Sequence, residues 1–222
     1  MNLAGGLVCV VGAASLWNVW RKTTRVKRAF ALVDEFNSGD PRTPPQELEY
    51  GQRMSQVLDN RYDANASDVV KIACRGQHVG RWVIPRDSYP LGRSSYLLWR
   101  KALHKEHASI MRKLLNKCGS FSLEEIDQVC RLVGKQWDLK TDPEANAVED
   151  VAALVFLEYY FPQFDEQIAD VDKMVKIIRG TWNKMSPKGH AVALTLTLAP
   201  IQAQIVQRAL TEGSGEEDKT PE

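Results

Sequence analysis

Apolar positions recur three and four residues apart along most of this chain, and no stretch shows the strict alternation of a half-buried strand. Arg25 to Phe36 places Val26, Ala29, Phe30, Leu32, Val33 and Phe36 at helical spacing, and the run closes at Asn37-Ser-Gly-Asp-Pro41. Prolines between Pro41 and Pro45 lead into a second helix, from about Gln46 to Leu58. Ser67 and Asp68 are N-cap candidates for a helix over Val69–Gln77, because a short side-chain oxygen there accepts from an unsatisfied backbone N–H. After an irregular Gly80–Pro90 loop, a long amphipathic helix is expected from about Ser94 to Lys117, stopping at Gly119. Ser122-Leu-Glu-Glu125 reads as a capping box opening a helix through Val133. Asp142-Pro143-Glu144 makes a turn before the strongly apolar helix Val148–Phe161, which Pro162 should end. Asp165–Arg179 forms the next helix, Ser186-Pro187 opens a short one with proline at its first position, and Pro200–Leu210 supplies the last. The fold class is all-α, a single compact helical domain over residues 25–210.

The two ends depart from this pattern. Leu3 to Trp20 carries no charge and is followed at once by Arg21, Lys22, Arg25, Lys27 and Arg28. Its length approaches the ~20 residues that cross a bilayer, and cations after the run favour an uncleaved anchor with the main domain on the cytoplasmic side. Residues 1–24 are thus expected to be an N-terminal hydrophobic helix, acting as a membrane anchor, or else a targeting extension of an intracellular protein. Thr211–Glu222 is small, acidic and ends near a proline, the composition of a disordered tail. A net charge of +1 argues against broad, charge-driven nucleic-acid binding. The four cysteines are scattered, without the paired spacing of a zinc site; Cys74, Cys118 and Cys130 fall in apolar helical surroundings and read as small core residues.

Chemistry concentrates around His78. It stands where a helix runs out, among Arg75, Arg81, Arg86, Trp82 and Tyr89, a mixture that packing alone does not require. His104 and His107 share one face of the next long helix, being three residues apart. Carboxylates stand elsewhere: Glu47 and Glu49 on the helix before His78, and Glu149, Asp150 and Glu158 on the most apolar helix. Imidazoles and carboxylates are the usual ligands of zinc, iron or manganese, so a metal site would have to be assembled from separate helices. Lys184-Met185-Ser186-Pro187-Lys188 resembles the KMSKS signature of class I aminoacyl-tRNA synthetases. The chain lacks the sheet and the HIGH motif that work with it, and Ser186 as a cap with Pro187 at the first helical position explains the fragment.

Four segments carry a wider resemblance: Gln77-His78-x-x-Arg81-Trp82-x-Ile84-Pro85-Arg86-x-x-Tyr89-Pro90, Tyr96-Leu97-x-Trp99-Arg100, Lys140-Thr141-Asp142-Pro143-Glu144 and Trp182-x-Lys184-Met185-Ser186. They resemble a family of uncharacterised proteins, the domain of unknown function 4202, from about Val26 to Leu210. That resemblance implies a domain and no activity. The helix order and the polar residues at helix ends are also similar to the HD superfamily of metal-dependent phosphohydrolases, which implies an HD-like topology. In that superfamily a histidine on an early helix, a His-Asp doublet and a late aspartate hold metal. Here Gln77-His78 stands at the doublet, Glu149-Asp150 at the late acidic position, and His107 where some members place a further ligand. Glu49 or Arg53 occupies the early region, and no aspartate follows His78. The resemblance implies that His78, His107, Asp150 and Glu49 hold one divalent ion whose bound water becomes the nucleophile. Arg81 and Arg86 would then clamp phosphate oxygens, and Trp82, Tyr89 or Trp99 would stack on a planar ligand. The expected function is metal-dependent hydrolysis of a phosphorylated or nucleotide-like small molecule. The alternative is a non-catalytic ligand- or protein-binding module, tethered to a membrane through Leu3–Trp20.

Overall fold

The computed structural model describes residues 24–164 and 171–211, and among them every regular element is a helix. The Leu3–Trp20 run and residues 212–222 of the acidic tail lie outside the described residues. Among the described residues no helix is long and apolar enough to cross a membrane. The chain divides into two compact units, one from residues 24–55 with 65–136 and one from residues 56–64 with 137–211.

The first unit holds α1 (24–37), most of α2 (Gln46–Val57), α3 (Asp68–Gly76), α4 (Arg93–Cys118) and α5 (Leu123–Val133). Local chemistry sets their ends. The Ser67 hydroxyl accepts from Val70 N at 3.2 Å and starts α3. Gly119 takes a left-handed φ of 63° and stops α4. Ser122 and Glu125 form the reciprocal capping box of α5. Val33, Met54, Ile72, Leu103, Met111, Leu115 and Leu132 fill the core, together with the reduced Cys74, Cys118 and Cys130. Gly76 packs directly on Met111: a Cβ there would come within 2.5 Å of the sulfur. Arg25 ties α1 to both Asp68 (2.6 Å) and Glu125 (2.8 Å), and Arg75 of α3 pairs with Asp34 of α1 at 2.5 Å. The expected Gly80–Pro90 loop contains two short 3₁₀ turns, Arg81–Val83 and Arg86–Ser88.

The second unit begins where α2 widens into a π turn, Leu58–Tyr62. It continues with α6 (Pro143–Val155), a second π turn (Phe156–Tyr160), α7 (Phe161–Phe164), α8 (Val171–Trp182), α9 (Pro187–Ala193) and α10 (Pro200–Thr211). Two sequence expectations are corrected here. The apolar helix starts at Pro143 and not at Val148, because the Asp142 carboxylate accepts from Glu144 N and Ala145 N and Pro143 fits the first position. Pro162 does not end it. A proline ring collides with the carbonyl four residues back in a regular α-helix, and here a π turn, closed by Phe161 N–H on Phe156 O, interrupts the α pattern just before it. Ser186 caps α9 by accepting from Gly189 N at 3.2 Å, as the Ser-Pro sequence requires.

Candidate functional site around His78

The site grows from the start of α2. Glu47, Gly51, Met54 and Leu58 recur at helical spacing, and all four are buried, so Glu47 occupies the polar end of an apolar stripe. Gly51 lets α2 lie against the end of α3, since a Cβ there would stand 2.7 Å from the Arg75 carbonyl. Asp40 accepts from Glu47 N (3.0 Å) and from Arg42 through Nε (2.9 Å) and Nη2 (2.7 Å). Burial pushes its carboxyl up, but the Arg42 side chain and the backbone donors of Glu47 and Arg42 outweigh burial and hold it at about 2. Arg42 also reaches Glu47 Oε1 at 2.8 Å. Glu47 is 5 % exposed, and its other oxygen stands 3.5 Å from His78 Nδ1. Burial raises its pKa, yet His78 and Arg42 together hold it below the usual carboxylate range.

The turn after α3 delivers His78. Asn37, buried on α1, donates to Glu47 O and accepts from Gly80 N, each at 3.2 Å, and so fixes the head of α2 against this turn. Gly80 adopts φ 66°, and a side chain there would strike Ile110 of α4. His78 is 28 % exposed and stacks on Tyr50, one helical turn from Glu47, with centroids 4.0 Å apart and planes 13° apart. Burial lowers the His78 pKa, Glu47 pulls it back, and Arg81 and Lys135 lower it further.

His107 comes up from α4 to 6.2 Å from the His78 ring, centroid to centroid. It is 1 % exposed, and its Nδ1 lies 2.6 Å from the Val79 carbonyl. A carbonyl only accepts, so Nδ1 carries the hydrogen and Nε2 keeps its lone pair. That Nε2 is buried with no hydrogen-bond partner among the described residues. Burial, reinforced by the charges of His78 and Arg81, drops the His107 pKa to about 3, so the ring is neutral.

The Arg81 backbone N–H donates to His78 O at 3.1 Å, while its guanidinium lies over the Trp99 ring at 4.9 Å and forms no hydrogen bond or ion pair with another described residue. Its charge acts on both His78 and His107. Arg86 is engaged otherwise: it donates to Tyr89 O (2.9 Å) and Pro90 O (3.2 Å) and holds its own loop together. Trp99 is buried with its N–H on Ile84 O at 2.9 Å, and half-buried Trp82 packs on Phe36 at 5.7 Å. Tyr89 is half-buried and lends its carbonyl to Arg86. Of the two expected phosphate-clamping arginines, Arg81 is the one whose guanidinium stands unengaged among the described residues.

Of the four expected metal ligands, the structure brings His78 and His107 together. Glu49 turns to Arg53, one helical turn away. Asp150 lies in the second unit, fully buried, accepting from Ser186 N (2.8 Å), Ser186 Oγ (2.5 Å) and Tyr62 O–H (2.8 Å). Among the described residues no three His, Cys, Asp or Glu side chains stand close enough to hold one metal ion. The two imidazoles nevertheless share a property of metal-ligating histidines, a ring Nδ1 facing an oxygen acceptor and leaving Nε2 for a ligand. The residues that spacing passed over are Tyr50, Asn37 and Asp40, and of the two acids named on α2 Glu49 was preferred to Glu47. The buried stripe Glu47–Gly51–Met54–Leu58 was the signal that separates them.

Fold and site together define an all-helical protein with a histidine pair, His78 backed by Glu47 and His107 by the Val79 carbonyl, beside an arginine whose guanidinium is unengaged among the described residues. The family model for Domain of unknown function (DUF4202) matches residues 27–206, and the chain belongs to that family. No curated protein and no solved structure matches it.

Proposed function

We propose that the first unit binds a phosphorylated or nucleotide-like small molecule at His78 and Arg81 and hydrolyses it. The observation that supports this reading is the juxtaposition of a Glu47-backed, partly exposed His78 with a His107 Nε2 and an Arg81 guanidinium that are both unpartnered among the described residues. Arg81 presents a planar guanidinium to two phosphate oxygens, and Trp99 beneath it fixes the plane. Glu47 holds the Nδ1–H tautomer of His78, leaving the Nε2 lone pair free for a metal ion. Tyr50 on the ring face keeps the imidazole from rotating. The reading retains the HD-like topology as a proposal, with Glu47 supplying the carboxylate that is missing after His78. A divalent ion would be held by Nε2 of His78 and of His107, and would lower the pKa of a bound water.

The test is metal content by mass spectrometry and a phosphatase and nucleotidase panel, on wild type, His78→Ala and Arg81→Ala. Wild type should hydrolyse at least one phosphate ester and carry the ion; His78→Ala should lose both, while Arg81→Ala raises KM. Equal, sub-stoichiometric metal in all three and no hydrolysis would overturn the reading. A second reading, a non-catalytic ligand-binding module, draws on the incomplete ligand set. Nucleotides that raise the thermal midpoint without being hydrolysed would establish it.

A further inference from the structure

The exposed beginning of α4 is not used by the His78 site. Leu91 is 96 % exposed in the turn before the helix, and Leu97 and Leu98 on its first turns are 55 % and 61 % exposed. The buried stripe of α4 runs Trp99, Leu103, His107, Ile110, Met111. Leu97, Leu98, Lys101 and Lys105 fall on the side turned away from it. Between Ser88 and Lys105 there is no Asp or Glu, while Arg93, Arg100, Lys101 and Lys105 supply positive charge.

Helix stability does not account for this composition. The N-cap is Gly92 with no side-chain cap, the first turn holds no acid, and Arg93 at its first position opposes the helix dipole. The segment is also firmly held. Trp99 N–H is bonded to Ile84 O, and Arg86 lies 5.9 Å over the Tyr96 ring while its guanidinium closes the turn onto Pro90 O. Protruding leucines are therefore presented from a fixed base. We infer that the Leu91–Lys105 end of α4 docks on an anionic membrane surface, with Leu91, Leu97 and Leu98 entering the headgroup boundary and Arg93, Lys101 and Lys105 meeting lipid phosphates. The charge favours an anionic occupant: no carboxylate lies between Ser88 and Lys105, while Arg93, Lys101 and Lys105 offer cations to lipid phosphates. Leucines to leave water, a tyrosine at their edge and cations around them match what an interfacial segment needs.

The test uses the full chain with phosphatidylcholine vesicles, with and without phosphatidylserine, in co-sedimentation and amide hydrogen exchange. Exchange is needed because the Leu3–Trp20 run lies in the same chain and sedimentation alone does not separate them. Phosphatidylserine vesicles should slow exchange across 91–101. Leu97→Glu with Leu98→Glu should abolish that protection, and Lys101→Glu with Lys105→Glu should weaken it, as added salt also does. Leu97, Leu98, Lys101 and Lys105 all lie outside the buried stripe, so circular dichroism and the thermal midpoint should match wild type. Unchanged exchange at 91–101 on adding vesicles overturns the inference, as does wild-type protection of 91–101 in the leucine variant. A concentration-dependent dimer that the leucine variant dissolves overturns it too, and assigns the patch to self-association. Neither result bears on hydrolysis at His78.

Discussion

His107 is an imidazole that resists protonation where it sits, and that gives the fold an acid sensitivity. In the unfolded chain it takes a proton near 6.5, whereas in the folded chain it does so only near 3. Its depressed folded value means the stability it confers is complete above 6.5 and is lost as pH falls from 6.5 toward 3. The loss over that window is on the order of 3–4 kcal/mol. Urea midpoints measured through this range should fall steeply for wild type. His107→Gln should be less stable at neutral pH and should fall less steeply; parallel curves would show that His107 is not the titrating group. The same residue shows what spacing can and cannot reveal. Three residues from His104, it was expected on a shared face, yet only its Nδ1 contact with Val79 O, 28 positions earlier, determines which nitrogen is left over.

At the scale of the element, the helix starts were legible because the groups that make them are neighbours in the chain. Ser67, Ser122 with Glu125, Asp142 and Ser186 each satisfy N–H groups within three residues. Asp150 was not legible. It looked like an acid at a helix start and is instead well inside α6, where its partners Tyr62 and Ser186 lie 88 and 36 residues away. Glu49 lost to Glu47 for a similar reason, since both are acids near one helix start and only the stripe shared with Met54 and Leu58 separates them. The Asp150 contact makes a counter-intuitive prediction for α9. Replacing a helical glycine by alanine ordinarily stabilises by about 1 kcal/mol. At Gly189 the new Cβ would come within 2.5 Å of the Asp150 carboxyl carbon. Gly189→Ala should therefore destabilise by roughly 2 kcal/mol or more in urea unfolding. A gain in stability would mean that α9 does not press on Asp150.

At the scale of the whole molecule, the second unit takes part of itself from inside the first. Residues 56–64 belong with 137–211, and from them come Tyr62 on Asp150, Arg61 on Glu158 (2.7 Å) and Asp63 on Lys188 (3.0 Å). A fragment beginning at Trp137 lacks all three and leaves the buried Asp150 short of a donor. It should show a non-cooperative thermal transition and poor amide dispersion, while adding a peptide spanning residues 56–64 should recover order. A fragment that melts cooperatively on its own would show the segment to be dispensable. The arrangement also has a consequence in time. During synthesis the first unit has all its residues once position 136 has emerged, but Leu58, almost fully buried in the finished protein, emerges far ahead of the helices it belongs with. For that interval a greasy turn hangs as an open loop from a unit already able to close, and it is the point at which a nascent chain of this protein most needs to be shielded.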